Sequence, residues 1–566
     1  MTMKLVVVGG VAGGASAAAR VRRLDETAEI TIFERGQYVS YSNCSLPYYL
    51  GGEVADQEDL IMMTPEAFKS KHNIDVCTNT EVTAVDPAAH TVTVCTAEGE
   101  RTVPYDKLVL APGAAPILPR SISGIGGAHV HAVRSVTDVV RIRADLDRQD
   151  ARRVIVVGGG FIGVETAENL CRAGKQVTVV EGAPQIMAPF DRDMVQTLHK
   201  ELDDHGVALC LNTTVTAITD GAVTVRRGER EWSLPADAVI MAIGVAPETA
   251  LARGAGLAIG ATGGIRVDAQ MCTSDPDIYA VGDAIETFDR QTGLAGRLAL
   301  AGAAQKQARV AADNICGIPS AYAGFIGSSC IRVFSQNAAS TGLNERTAQA
   351  AGLTYDSVTV YSPDKVGIMP DCHYMGLKLL FEVPSGRLLG AQAIGQGEVD
   401  KRINAIAALI GMGGTVRSLI DYEHCYAPLF STAKDVVHMA ALVADNVLSG
   451  RLRQIHVSDV RPLVEGGACI VDVRESDEYD EGHIKGAKSL PLSTLRQHLD
   501  EIPRDVPVYL HCRSSQRSYY AYSILRGRGW DNVYNISGSF LGLSLYEYYP
   551  DKAEGRTPIV TAYNFE

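Results

Sequence analysis

Val154-Ile155-Val156-Val157-Gly158-Gly159-Gly160-Phe161-Ile162-Gly163 decides the fold. A β-branched run ends in a G-x-G-x-x-G turn, and a helical reading follows through Leu170. Val177-Thr178-Val179-Val180-Glu181 then completes a βαβ unit of about 30 residues. Gly158 makes the tight turn, Gly160 lets backbone approach a pyrophosphate, and Gly163 lets helix pack on strand. Phe161 and Ile162 open the helix, whose unpaired N–H groups and positive dipole end favour an anion. Glu181 stands where a carboxylate accepts from a ribose 2′-OH and repels a 2′-phosphate, so the pattern favours NADH over NADPH.

The unit occurs twice. Lys4–Gly36 reads strand, glycine turn, alanine-rich helix, strand and acid. Its turn is Gly9-Gly10-Val11-Ala12-Gly13-Gly14, with Glu34 at the end of the second strand. Val11 replaces the middle glycine, and its Cβ is expected to crowd a pyrophosphate there. Two later segments complete this site. Leu108-Val109-Leu110 runs into Ala111-Pro112-Gly113, and Thr273-Ser274-Asp275-Pro276-Asp277-Ile278-Tyr279-Ala280-Val281-Gly282-Asp283 ends a strand in Gly-Asp.

The 566 residues predict three or four domains at roughly 100–200 residues each. A net charge of −14 argues against broad nucleic-acid binding and leaves room only for a local basic pocket. The 12 cysteines have no disulfide-framework spacing and no Cys-x-x-Cys zinc pair, so no metal site is expected. No apolar run approaches about 18 residues, and none at the start is long enough for a signal peptide. The expectation is a cytoplasmic chain without a membrane partner, in a compartment where free thiols do chemistry.

Over about residues 3–445 the chain resembles the two-dinucleotide-binding-domain flavoprotein disulfide reductases, and Thr-x-x-Pro-x-Ile-Tyr-Ala-x-Gly-Asp carries most of that likeness. The resemblance implies FAD on the first unit, held by Gly9, Gly10, Ala12, Gly13, Gly14, Glu34, Arg35, Ala111, Pro112, Gly113, Gly282 and Asp283. It implies NADH on the second, held by Gly158, Gly160, Phe161, Ile162, Gly163, Glu181 and Gly244. The implied fold class is α/β, with two Rossmann-like dinucleotide-binding domains, an α+β dimerisation/interface domain and a C-terminal α/β module. The FAD-binding domain is expected over 1–150 and 273–324, with the NADH-binding domain over 151–272. The interface domain is expected over 325–445, a linker over 446–456, the last module over 457–550 and a tail over 551–566.

Within that family the decisive segment is Tyr41-Ser42-Asn43-Cys44-Ser45-Leu46-Pro47-Tyr48. Dithiol members carry a second cysteine five positions on; here that residue is Tyr49. A lone thiol beside a flavin cycles through a mixed disulfide, a persulfide or a sulfenic acid. The residues after Cys44 read as a helix start, which predicts a lowered thiol pKa. The turn Gly-Val-Ala-Gly-Gly is similar to that of coenzyme A disulfide and persulfide reductases; peroxidase-type members have histidine at the position of Ala12. This likeness implies coenzyme A as a bound thiol or substrate, contacted by Ser16, Arg20, Arg23, Ser40, Asn43 and Lys71. Tyr426-Ala427-Pro428-Leu429-Phe430-Ser431-Thr432-Ala433-Lys434 resembles the segment by which one subunit of a homodimer completes the other's site. Tyr426 would then approach Cys44 of the partner subunit as a proton donor, and Lys434 would meet a phosphate. A second tyrosine of the family is absent; Ile368-Met369-Pro370-Asp371 stands there, with Tyr374 downstream.

Near the C-terminus, Val508-Tyr509-Leu510-His511 ends at Cys512-Arg513-Ser514-Ser515-Gln516-Arg517, and a helix follows over Tyr519–Arg526. Successive N–H groups in such a loop form an anion nest, which Arg517 reinforces. With Asp472-Val473-Arg474 and Gly482-His483-Ile484-Lys485-Gly486-Ala487, the segment resembles a rhodanese domain. Its loop is one residue shorter than in related phosphatases, so sulfur is the expected cargo of Cys512.

These readings predict a pyridine-nucleotide disulfide/persulfide oxidoreductase that uses FAD and NADH on coenzyme A persulfides, polysulfides or disulfide, with sulfane sulfur on Cys512. A separate sulfur-donor protein remains an open partner. Two rivals stand: an NADH oxidase with a Cys44 sulfenic acid, and a sulfur-carrier or redox-sensing protein.

Overall fold

The computed structural model describes residues 2–148 and 150–565. It comprises two compact units, Met1–Pro184 with Val207–Phe325, and Gln185–Gly206 with Ile326–Glu566.

Two parallel five-stranded sheets build the first unit. One runs Ile278–Ala280, Lys107–Leu110, Lys4–Val8, Glu29–Phe33, Asp75–Cys77 in spatial order. Leu5, Val7, Ile32, Leu108 and Val109 are buried in it. Such strands read as continuous apolar runs because both faces are covered. Helix α1 (Ala12–Leu24) connects its first two strands. The other sheet runs Ala208–Cys210, Gln176–Val180, Arg153–Val157, Ala238–Met241, Val130–Ala132. A boundary at residue 150 therefore falls too late: Val130–Ala132, earlier in the chain, pairs with the second sheet. Helix α2 (Leu46–Gly51) packs on helix α3 (Phe161–Arg172), which opens from the second glycine turn.

Both glycine turns obey one steric rule. A Cβ at Gly14 would sit 1.9 Å from the Gly9 carbonyl oxygen, and one at Gly163 would sit 1.9 Å from the Gly158 oxygen. The middle position has no such constraint, because a Cβ at Gly160 meets no protein atom within 4 Å. Val11 occupies the equivalent place with ordinary backbone angles, φ −102°. The fold accepts the valine; only a ligand would feel it.

In the second unit an antiparallel sheet runs Ser328–Val333, Gln336–Gly342, Leu388–Gly395, Tyr374–Glu382, Tyr355–Pro363. Helices Val399–Gly411 and Val436–Leu448 pack on it. The second helix starts five residues later than a Ser431 start, because Asp435 caps it by accepting from the Val437 N–H. Helix α4 (Arg192–Asp204) belongs to this unit, although the sequence reading placed it inside the NADH domain. Charge holds it there. Buried Lys378 reaches Asp193 at 2.9 Å, Glu345 at 3.0 Å and Asp191 at 3.2 Å.

The C-terminal sheet is parallel: Gln454–Ile455, Val533–Ile536, Val508–His511, Cys469–Asp472, Lys488–Ser489. It begins inside the expected linker. Helices α5 (Gln516–Gly527) and α6 (Ser539–Glu554) follow its strands. The expected tail is part of the module. α6 crosses residue 550, Ile559 and Val560 are buried, and the Lys485 N–H donates to the Ile559 carbonyl at 2.9 Å.

Candidate functional site

A cavity of about 460 Å³ opens along the first glycine turn, with Gly9, Ala12, Glu34, Pro112, Asn43 and Asp283 in its wall. Gly9 adopts φ +94°, and a Cβ there would lie 2.2 Å from the Ala111 oxygen, so strand and turn close tightly. Helix α1 has no acid in its first turn to oppose an anion. Glu34 accepts from the N–H groups of Gly10 and Gly36, at 2.9 and 2.8 Å. Glu181 repeats the device, accepting from Gly159 at 2.6 Å and Ala183 at 2.7 Å. Each carboxylate thus pins its glycine turn and keeps lone pairs for a ribose hydroxyl. Arg35 is held by Glu248 through a two-point contact at 2.9 and 2.5 Å, and Arg134 joins the same carboxylate at 2.6 Å. Gly113 takes φ +76° in the cavity wall. Gly282 takes φ +82°, and its N–H donates to buried Gln307. Gly244 takes φ +120° and accepts from the Ile117 N–H. An anion-ready helix end, an acid at the ribose position and a cavity lined by both sequence segments fit FAD on the first unit; the repeated turn and acid fit NADH on the second.

Cys44 lies on a single 3₁₀ turn, Asn43–Ser45, ahead of α2. It is exposed and free. Tyr49 fills the fifth position as a buried side chain, with the Arg143 guanidinium 4.8 Å from its ring centre. The expected lowering of the Cys44 pKa is reversed. Partial burial pushes the thiol up first, and the carboxylates of Glu165 and Asp283 add to it. The six-residue α2 is too short to offset two facing negative charges. Asp283 is itself pushed up by burial, against Arg134.

Glu165 escaped the sequence reading. It accepts from the Tyr48 hydroxyl at 3.3 Å, and burial pushes its carboxyl up to about 7. The available signal was the polar stripe Glu165, Glu168, Asn169, Arg172 on an otherwise apolar helix. That spacing reads as a solvated face, yet Glu168 and Asn169 are each 1% exposed. The stripe faces α2: a Cβ on Gly51 would be 2.5 Å from the Asn169 amide oxygen.

The expected coenzyme A residues differ in exposure, and Ser16, Arg20 and Arg23 share helix α1. Ser16 and Ser40 are half-buried, while Asn43, Arg23 and Lys71 are exposed. Arg20 is committed to Asp313 at 2.8 Å, which takes up part of its guanidinium.

In the second unit Tyr426, Leu429, Phe430 and Ile368 are all exposed, Ile368 at 84%. Lys434 is exposed nearby. Buried Arg402 fastens both segments. It pairs with Asp435 at 2.9 Å, donates to the Asp364 carbonyl at 2.8 Å, and reaches the Phe430 carbonyl.

Cys512 is 1% exposed at the end of its strand. The Ser518 hydroxyl is 3.6 Å from its sulfur, and its own N–H donates to Ser539. Ser515 adopts φ +74°, a left-handed conformation that favours glycine; its hydroxyl donates to the Ile536 carbonyl at 3.0 Å. Arg517 forms a two-point pair with Glu478 at 2.5 and 2.7 Å, so its charge is already neutralised in part. Arg474 grips Asp472 beneath the loop, and the Arg513 guanidinium lies 4.7 Å from the Tyr374 ring centre.

Residues 3–308 match the pyridine nucleotide-disulphide oxidoreductases, 329–437 their dimerisation domain, and 457–545 the rhodanese-like domain. A coenzyme A disulfide reductase of Staphylococcus haemolyticus is 33% identical over 439 residues, 77% of this chain and 98% of that one. The crystal structure of reduced Bacillus anthracis CoADR-RHD superposes with a TM-score of 0.93 at 40% identity, covering 98% of this chain and 99% of the other. A NAD-dependent persulfide reductase from A. fulgidus gives 0.90 at 37% identity, covering 95% and 99%. The water-forming NADH oxidase of Lactobacillus brevis gives 0.75 at 29% identity, over 80% of this chain and all of that one. The chain belongs to the FAD- and NAD(H)-dependent pyridine nucleotide-disulphide oxidoreductases, in the branch of the coenzyme A disulfide reductases, and carries a C-terminal rhodanese domain.

Proposed function

We propose that the chain reduces coenzyme A persulfide, and more slowly coenzyme A disulfide, with NADH, and that Cys512 carries the sulfane sulfur. The observation that carries this reading is the free, exposed Cys44 with a packed tyrosine where a second redox cysteine would stand. The Cys44 thiolate attacks the inner sulfur of a persulfide; the S–S bond breaks, hydrosulfide leaves, and a mixed disulfide with coenzyme A remains. Two electrons and a proton then return Cys44 and free the coenzyme A thiol. Bound FAD supplies the passage of those electrons from NADH to sulfur. Net, NADH, a proton and the persulfide give NAD⁺, thiol and hydrogen sulfide.

The dimerisation-domain match supports a homodimer, and the proposal includes Tyr426 approaching Cys44 of the partner subunit. Fusion of carrier and reductase raises the local concentration of sulfur donor. Twelve free cysteines suit a reducing compartment, the cytoplasm. NADH oxidation is the assay: Cys44→Ser abolishes turnover with both substrates, and Cys512→Ser lowers turnover only when sulfur must come from a sulfane donor. Equal persulfide and disulfide rates, unchanged in Cys512→Ser, defeat the persulfide preference. The likeness to the NADH oxidase favours a second reading; rapid aerobic NADH turnover without thiol substrate, lost in Cys44→Ser, would select it.

A further inference from the structure

Cys44 presents a chemical difficulty. A nucleophilic sulfur must be a thiolate, yet partial burial and then two carboxylates push this one's pKa up, against the thiolate. A base is needed, and the same carboxylates are the candidates. Asp283 lies in the wall of the cavity and answers to Arg134. Glu165 is differently placed. It projects from α3, the helix against which α2, the helix that follows the Cys44 turn, is packed. Its Oε1 accepts from Tyr48, four residues after Cys44 in the chain.

We propose that Glu165 holds the proton of the Cys44 cycle, coupled to the cysteine segment through the Tyr48 hydroxyl. The proposal rests on Cys44 being the reacting sulfur. In the first step Cys44–SH, Glu165–COO⁻ and R–S–S–R′ give Cys44–S–S–R, Glu165–COOH and R′–S⁻. The new S–S bond forms as the old one breaks, the electron pair leaves with R′, and the proton goes to the Glu165 carboxylate. In the second step Glu165–COOH returns that proton to R′–S⁻, giving R′–SH. The exchange is redox-neutral, so no further oxidant or reductant enters. The position suits a group that changes protonation in each turnover. Burial raises Glu165, the Tyr48 hydrogen bond lowers it, and the neighbouring Glu168 raises it, leaving it near neutrality. The groups acting on Cys44 are Glu165 and Asp283, and Arg134 acts on Asp283.

The test is the pH profile of Cys44 alkylation by iodoacetamide in the FAD-loaded protein, read on the Cys44 peptide by mass spectrometry. It needs no substrate, so it is independent of which sulfur compound the enzyme reduces; Cys44→Ser turnover tests that separately. In the wild type the profile has an inflection near pH 7 besides the thiol's own at higher pH, as expected for coupled groups. In Glu165→Gln the neutral inflection disappears and the remaining one moves to lower pH, because a facing negative charge is gone. Glu165→Asp keeps a neutral-region inflection. Tyr48→Phe keeps the carboxylate but removes the hydrogen bond that lowers it, so the neutral inflection moves up. Retained FAD absorbance certifies each variant as folded. A Glu165→Gln profile that superimposes on the wild type overturns the proposal. Where that variant loses FAD, an unmoved neutral inflection in Tyr48→Phe overturns it instead.

Discussion

Replacing Arg402 by methionine tests how the exposed Tyr426 segment is held. The guanidinium is 3% exposed and serves Asp435, Asp364 and Glu398 at once. Methionine fills most of the volume but strands a buried carboxylate and at least two carbonyls. Removing one member of a buried pair costs roughly 3–5 kcal/mol. Asp435 retains one N–H donor at the head of Val436–Leu448, which keeps the loss toward the lower end. For a unit of this size each kcal/mol moves the midpoint by about 2–4 °C, so a drop of roughly 6–20 °C is expected by calorimetry. Loss of the tie between the Asp364 carbonyl and the Tyr426 segment also raises KM for the sulfur substrate while FAD stays bound. Asp435→Asn in the same background recovers part of the stability, because the stranded charge is gone. A change under about 1 kcal/mol, or no recovery in the double variant, refutes the view that this buried pair holds the segment.

Other consequences follow from the same contacts. Gly163→Ala puts a Cβ 1.9 Å from the Gly158 oxygen, so NADH binding measured by flavin reduction is lost while FAD content is retained. His199 is buried on α4 and its pKa is lowered to about 3 by burial, from an ordinary 6.5. The unfolded chain therefore binds the extra proton between those values, and stability falls as pH drops below 6.5, by about 1.4 kcal/mol per pH unit. Thermal midpoints from pH 7 to pH 5 show this loss, and His199→Gln flattens it. Ser518→Ala removes the hydroxyl 3.6 Å from the Cys512 sulfur, lowering thiosulfate-to-cyanide sulfur transfer several-fold with NADH oxidation unchanged.

The two nucleotide units were legible because their constraint is steric and local. Gly9, Gly14, Gly158 and Gly163 sit where a Cβ would meet backbone, and sequence records that directly. The Cys512 loop was legible for a similar reason: strand, short turn and helix are contiguous. Domain edges were not. Val130–Ala132 pairs across a long gap in sequence, and α4 joins the second unit through Lys378, whose three carboxylates come from distant segments. The role of the polar stripe on α3 was not legible either, since periodicity records polarity without saying what packs against it. The sign of the Cys44 shift was missed for the same cause. Local sequence showed a helix start, while the shift comes first from tertiary burial and then from Glu165 and Asp283, far along the chain.

The two sulfur sites are built with opposite electrostatics. Around Cys44 the protein places carboxylates; around Cys512 it places the Ser518 hydroxyl and a partly neutralised arginine. A resting thiol suits the first environment, since a permanent thiolate there would be repelled and oxidisable. A persulfide anion suits the second, because its charge meets donors. Under the proposed function sulfur is thus stored where negative charge is welcome and cleaved where it is not, so hydrosulfide leaving Cys44 departs down a gradient of repulsion. Reversing that order, by placing lysine at Glu165, should stabilise the Cys44 thiolate at rest. Faster inactivation by peroxide without faster turnover is then expected; a variant that turned over faster and resisted peroxide would show that carboxylates at Cys44 serve no such end.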